Sequence, residues 1–178
     1  MVNLKKLFNI AYKHSALFVL YKTKPGKYVQ AYDNYLRKLG VNIVGKSSWI
    51  DFTVWFDYLY NLIHIGDGVV ISREVVLLTH DYSINNAVYG LGKQMKRGYE
   101  IRRQIKIGNN VFIGIRSVIC PGTIIGDNSI IGAGSVVRGE VEPFSIMAGN
   151  PAVKIGDTRE WATNKLNKIK ELQESVIT

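Results

Sequence analysis

Between Ile107 and Pro143 an aliphatic residue returns at every sixth position: Ile107, Ile113, Ile119, Ile125, Ile131 and Val137. The residue after each is mostly small (Gly108, Gly114, Cys120, Gly126, Gly132), and four positions past each aliphatic stand Val111, Ser117, Thr123, Ser129, Ser135 and Val141. Such repetition outranks other signals, because a repeat unit that cannot bury its apolar face alone must stack on its neighbours. A period of six is neither an amphipathic helix nor an alternating strand. It predicts a three-sided prism: one aliphatic per short strand points inward, and a tight corner of small or β-branched residues follows. Stacked coils share a continuous core, roughly 1.5–3 kcal/mol for each fully buried Ile or Val. Small corner residues let backbone approach backbone.

The 178 residues suffice for one such domain with modest additions. Cys120 is the only cysteine, which excludes an intrachain disulfide and suits a reducing compartment. Of the net charge of +9, residues 1–40 carry +7, so a uniformly basic nucleic-acid binder is excluded. No apolar run reaches the ~18–20 residues of a membrane span and no signal-peptide pattern opens the chain, so a cytoplasmic protein is expected.

Leu4, Leu7, Phe8, Ala11, Ser15 and Phe18 share a helical face opposite Lys5, Lys6, Asn9 and Lys13. Pro25-Gly26 ends that segment, and Tyr28, Tyr32, Tyr35, Leu36 and Leu39 mark a second helix stopped by Gly40. Residues 1–40 thus read as a basic helical cap over the open end of the prism. A second reading is an amphipathic anchor at the inner face of an anionic membrane. Degraded repeats begin at Val44-Gly45, Ile50-Asp51 and Phe56-Asp57, and the phase shifts by three before Ile65, Ile71 and Leu77. The aromatics among them, Trp49, Phe52, Trp55, Phe56, Tyr58 and Tyr60, suit wide first coils or a subunit contact; stacking on a sugar is the alternative.

Thirty residues, a multiple of six, separate Leu77 from Ile107. A loop, residues 83–104, can therefore leave the prism and return without disturbing its phase. Repeats close near Asn150-Pro151, giving a repeat domain over 41–156. Asp157-Thr158-Arg159-Glu160 starts a final helix over 157–178 with an apolar stripe of Ala162, Leu166, Ile169, Leu172 and Val176. That stripe should pack on the prism or on a neighbouring subunit.

Of the three histidines, His14 sits in the basic segment and reads as solvated, and His64 precedes a repeat start and reads as structural. His80 lies where a strand gives way to the loop, so its imidazole can face a cleft. An imidazole suits removal of a proton from an attacking hydroxyl at neutral pH.

The six-residue repeats, with Leu77-Leu78-Thr79-His80-Asp81-Tyr82, the loop, and Ile107-Gly108-Asn109-Asn110-Val111-Phe112-Ile113-Gly114, resemble the hexapeptide-repeat acyltransferases over about residues 44–155. The likeness is to the sugar O-acetyltransferase branch, including maltose, galactoside, nodulation-factor and surface-polysaccharide acetyltransferases. It implies a mainly β fold, a left-handed parallel β-helix, whose hand opposes the usual right-handed crossover. It implies a homotrimer with acetyl-CoA between adjacent prisms, a sugar or polysaccharide acceptor, no metal, and His80 as catalytic base. It assigns Ile115, Ala133, Arg138 and Gly139 to the cofactor groove, with Arg116, Arg138 and Lys154 as partners for the nucleotide phosphates.

The family's Asn-Phe-Asn, whose second Asn helps hold the acceptor, corresponds to Asp51-Phe52-Thr53, so Asp51 and Thr53 are the acceptor-side candidates. Phe112 stands where a Trp is usual, and Lys154 alone matches the family's basic residues after Asn-Pro. The residue orienting His80 is left between Asp81 and Glu100. An amine on a nucleotide-linked sugar, or a small molecule, is the alternative acceptor. A zinc prism of the carbonic anhydrase type needs three junction histidines, against only His64 and His80 here. A non-catalytic trimeric scaffold is the reading from another class.

Overall fold

The structure, a computed structural model, describes residues 11–95 and 98–177. Expectations for Leu4 to Asn9, and for the side chains of Lys13, His14, Leu172 and Val176, lie outside the described residues and side chains. A π-helical turn (Lys13–Leu17) leads into α1 (Phe18–Thr23) and α2 (Pro25–Leu39). Pro25 occupies the first turn of α2, where its missing N–H costs nothing, and Gly40 ends it in the left-handed region at φ 113°.

The prism starts with β1 (Asn42–Ile43), β2 (Trp49–Ile50) and β3 (Trp55–Phe56), one strand per side. The second coil is β4 (Ile63–Ile65), β5 (Val70–Ile71) and β6 (Val76–Leu77). The chain then leaves as β7 (His80–Asp81), α3 (Ser83–Gly90) and β8 (Ile101–Arg102), with β7 and β8 forming an antiparallel ribbon. It returns as β9 (Ile105–Ile107), β10 (Phe112–Ile113), β11 (Val118–Ile119), β12 (Ile124–Ile125), β13 (Ile130–Ile131) and β14 (Val136–Val137). β15 (Glu140–Val141), β16 (Ser145–Gly149) and β17 (Ala152–Asp157) close it before α4 (Thr158–Ile177).

Three sheets result, ordered β1-β4-β9-β12-β15 on the first face, β2-β5-β10-β13-β16-β17 on the second and β3-β6-β11-β14 on the third. Every pairing within the coils is parallel, and Ile113 pairs with Ile131 and Ile119 with Val137, eighteen residues on. Across the excursion Leu77 pairs with Ile119, so the loop interrupts the coil without slipping its register. This is the left-handed parallel β-helix that the family resemblance implies.

Ile113, Ile119, Ile125, Ile131 and Val137 are at most 1% exposed. The inward corners Ser117, Thr123, Ser129 and Ser135 are buried too, and their hydroxyls donate to carbonyls: Ser135 to Gly132 at 2.7 Å, Thr123 to Cys120 at 2.8 Å. A small hydroxyl fits the corner and satisfies backbone that would otherwise be stranded there. One register expectation is corrected. Ile43, not Val44, is the inward residue of β1, and Val44 is 62% exposed. The degraded first repeat has no glycine after its inward position, so spacing alone placed it one residue late.

The helices cap the first coil. Tyr28 donates its hydroxyl to the Ile50 carbonyl at 2.8 Å, and Asp33 accepts from Ser47 N–H and hydroxyl at 2.9 and 2.6 Å. Tyr21, Tyr28, Tyr32, Trp49 and Phe52 pack ring against ring in this cap, which absorbs two of the clustered aromatics. At the other end, Leu166 and Ile169 of α4 remain about half exposed, so these two residues of the apolar stripe do not pack on their own prism.

Gly114 sits where coils touch: a Cβ there would lie 2.5 Å from the Ala133 backbone nitrogen. Gly114→Ala should therefore destabilise the fold by about 1–3 kcal/mol, read as a lower urea midpoint with an unchanged slope. An unaltered midpoint would show that the corners have slack.

Candidate active site

The site forms at the edge between the third and first faces, where β3 and β6 both end. Asp57 follows the inward Phe56, and its N–H donates to the Leu77 carbonyl at 3.1 Å, which sets it against Thr79 and His80 of the next coil. Asp57 has no exposed surface, and its carboxylate is fully engaged. Oδ2 accepts from Thr79 N–H (2.8 Å), Thr79 hydroxyl (2.7 Å) and His80 Nδ1 (2.5 Å), and Oδ1 accepts from Tyr58 N–H (2.7 Å).

Burial alone would raise the Asp57 pKa, but the hydrogen bonds from Thr79, His80 and Tyr58 outweigh it and hold the group below its ordinary value. A carboxylate so held is ionised at neutral pH. It draws the proton of a neutral imidazole to Nδ1 and leaves the Nε2 lone pair open to accept another. Nε2 has no hydrogen-bond partner among the described residues.

Around this pair the excursion folds back. Tyr58 donates its hydroxyl to Glu100, which also receives both Nε (2.8 Å) and Nη2 (2.6 Å) of Arg102. Hydrogen bonding to Glu100, with burial and the glutamate's charge behind it, pushes the Tyr58 phenol up to about 12. The Tyr58 and Tyr82 rings lie 5.0 and 5.7 Å from the imidazole, centroid to centroid.

Neither carboxylate proposed to orient His80 hydrogen-bonds it. Glu100 is occupied by Tyr58 and Arg102, and Asp81 turns away to accept from Ser83 N–H at 2.7 Å, at the start of α3. Asp57 takes that role and is the residue that sequence reasoning missed. A signal was present: after the inward Phe56 stands an acid, where Ile107, Ile113, Ile119, Ile125 and Ile131 are followed by glycine or cysteine.

Asp51 and Thr53 lie at a different edge, between the second and third faces. Asp51 is buried and accepts from Tyr21 hydroxyl (2.9 Å), Thr53 N–H (3.0 Å) and Thr53 hydroxyl (2.7 Å), so the polar residue that stands beside His80 is Asp57, in Trp55-Phe56-Asp57. Ile115, Arg116 and Ala133 share that second-third edge, whereas Arg138 and Gly139 lie at the His80 edge. Arg116 pairs with Glu74 (2.6 Å), and Lys154, on β17, pairs with Glu142 (3.2 Å). His64 meets Asn42 at 3.1 Å on the outer side of the first face, away from this cluster.

An imidazole backed by a buried carboxylate thus stands at the edge of a parallel β-helix built of six-residue repeats, under a loop that leaves the coil. The family model for bacterial transferase hexapeptide (six repeats) matches residues 104–139. Protein CapG of Staphylococcus aureus is 39% identical over 136 residues, 75% of this chain and 76% of that protein. Galactoside O-acetyltransferase of Escherichia coli (strain K12) is 31% identical over 127 residues, 61% of this chain but 60% of that enzyme's own length. Among solved structures, a maltose O-acetyltransferase from Clostridium difficile 630 superposes with a TM-score of 0.56 at 26% identity, covering 87% of this chain and 89% of that one. The chain belongs to the bacterial transferase hexapeptide family.

The lowered Asp57 pKa has a stability consequence. An unfolded aspartate ionises near about 3.9, so the folded group contributes stability that is complete above that pH and is lost as pH falls through the lower folded value. Asp57→Asn should be less stable than the parent at neutral pH, and the gap should narrow between about pH 5 and 2. Urea midpoints across that range test this, and a gap that widens in acid would contradict it.

Proposed function

We propose that the protein is an acetyl-CoA-dependent O-acetyltransferase acting on a sugar hydroxyl, in the building of bacterial surface polysaccharide, with His80 as general base. The observation that carries the reading is the His80–Asp57 couple, which leaves Nε2 as a lone-pair base at an edge of the prism. The sugar acetyltransferase names among the relatives support the substrate class. His80 Nε2 takes the proton from the acceptor hydroxyl as that oxygen attacks the thioester carbonyl, and Asp57 stabilises the imidazolium that forms. A backbone N–H at a nearby corner stabilises the oxyanion, and collapse expels the CoA thiol. The reading places the enzyme in the cytoplasm, where an unpaired buried thiol such as Cys120 persists. No described helix is long and apolar enough to cross a membrane. Exposed Phe18 and Val19 beside Lys22 and Lys24 suit a peripheral contact with its inner face.

The residues fit a bound acetyl-CoA. Gly134 and Gly139 each have open space within 4 Å of an added Cβ, room for a slender pantetheine arm along backbone, and Ala133 and Ile115 are exposed. Arg138 lies near Asp81 and is exposed, free to meet phosphate.

These positions lie on two edges of one chain, and a homotrimer joins them. The outward row of the third face is Trp55, Val76, Val118 and Val136, all apolar, whereas that of the first face includes Asn42, His64, Lys106 and Glu140. On the second face, Phe112 and Ile130 line a cleft with Trp161 and Ala162 of α4. A threefold axis along the third face buries its apolar row. It also sets the His80 edge of one chain against the Ile115–Ala133 edge of the next.

Two outcomes are expected. His80→Ala should lower turnover by about 10²- to 10⁴-fold in a coupled thiol-release assay while acetyl-CoA affinity, measured by calorimetry, stays near the parent value. Full activity in that variant would remove the assignment. Val118→Lys should yield a folded monomer by sedimentation and lose transfer with the trimer; an active trimer would place the interface elsewhere.

A further inference from the structure

Two phenol rings pack on the imidazole from different parts of the chain. Tyr58 comes from the prism corner next to Asp57, with its ring inclined 56° to His80, and Tyr82 comes from the excursion at 80°. Both are about half exposed, 54% and 52%, although each touches a partly buried residue. Their positions are held from behind. Glu100, whose side chain is 8% exposed, grips the Tyr58 hydroxyl and is itself gripped by Arg102, while the Tyr82 carbonyl accepts from Asn85 N–H and Nδ2 at 3.0 and 2.9 Å.

From this we infer that Tyr58 and Tyr82 form the acceptor platform and select a ring-shaped sugar over an open-chain hydroxyl compound. The inference rests on the acetyltransferase reading above and adds the feature of the acceptor that the site recognises. A pyranose presents an apolar C–H face and an equatorial rim of hydroxyls. Laid on a fixed aromatic surface, it keeps the rim accessible to a base beside that surface, and the imidazole lies 5.0 and 5.7 Å from the two rings. An open-chain polyol has no such face and loses more freedom on ordering, so it gains less from the same rings. The Glu100–Arg102 pair is a positioning device: it keeps the Tyr58 ring in one orientation and ties it to the loop that carries Tyr82.

The test compares two acceptors on each preparation, a methyl pyranoside and the corresponding alditol, and reads the ratio of their kcat/KM values. The fraction of active enzyme cancels from that ratio. The parent should favour the pyranoside; Tyr82→Leu and Tyr58→Leu should each lower the ratio about tenfold, through KM for the pyranoside, and Tyr82→Phe should preserve it. An unchanged ratio in both leucine variants, or a parent that uses the two acceptors equally, would overturn the platform and leave the acetyltransferase reading standing. Absence of thiol release with every acceptor would overturn both.

Discussion

The structure depends on backbone meeting backbone at the corners of stacked coils. Gly66, Gly108, Gly114 and Gly126 each stand where a Cβ would fall within 3 Å of the next coil's backbone, and only that closeness lets two-residue strands pair in register up three faces. Strands so short have no stability alone; each is held by parallel neighbours above and below and by one aliphatic that fills the centre. A single coil out of step would turn its inward residue to solvent, so the register is enforced along the whole stack.

That rigidity is what makes the His80–Asp57 couple possible. Asp57 and His80 are twenty-three residues apart and belong to successive coils, yet the ladder between β3 and β6 sets one against the other. Three other donors fix the carboxylate before the imidazole arrives: two from Thr79 and the Tyr58 N–H. The imidazole is therefore oriented by the scaffold through Asp57, and by the loop through the pairing of His80 with Arg102. The loop contributes the surroundings, with Tyr82, Glu100 and Arg102 around the imidazole. Its insertion between β6 and β9 leaves the winding intact, because the chain departs at the edge between the third and first faces and returns as β9 on the first face, in register on β4.

The aromatics of the first coils illustrate how one compositional signal divides between roles. Trp49 and Phe52 are absorbed into the cap with Tyr21, Tyr28 and Tyr32. Trp55 faces outward on an apolar face, and Tyr58 borders the imidazole of His80. Nothing in their spacing separates these fates, since the three differ in which edge or face of the prism the residue occupies and what lies against it.

The period of six, the inward aliphatics, the small corners, the phase-preserving loop and His80 at its root were all legible in the sequence, because each is a local pattern that repeats or a break in one. The carboxylate behind His80 was not: Asp81 and Glu100 are close in sequence or in the loop, but Asp81 faces α3 and Glu100 faces Tyr58 and Arg102. The choice of Asp57 and the separation of Asp51, Thr53, Ile115 and Ala133 onto another edge were decided by tertiary structure. The physical reason is that a coil's length sets which residues lie above one another, and the early coils depart from eighteen residues. Sequence alone therefore established the repeating wall, and only the folded stack decided which side chains meet across it.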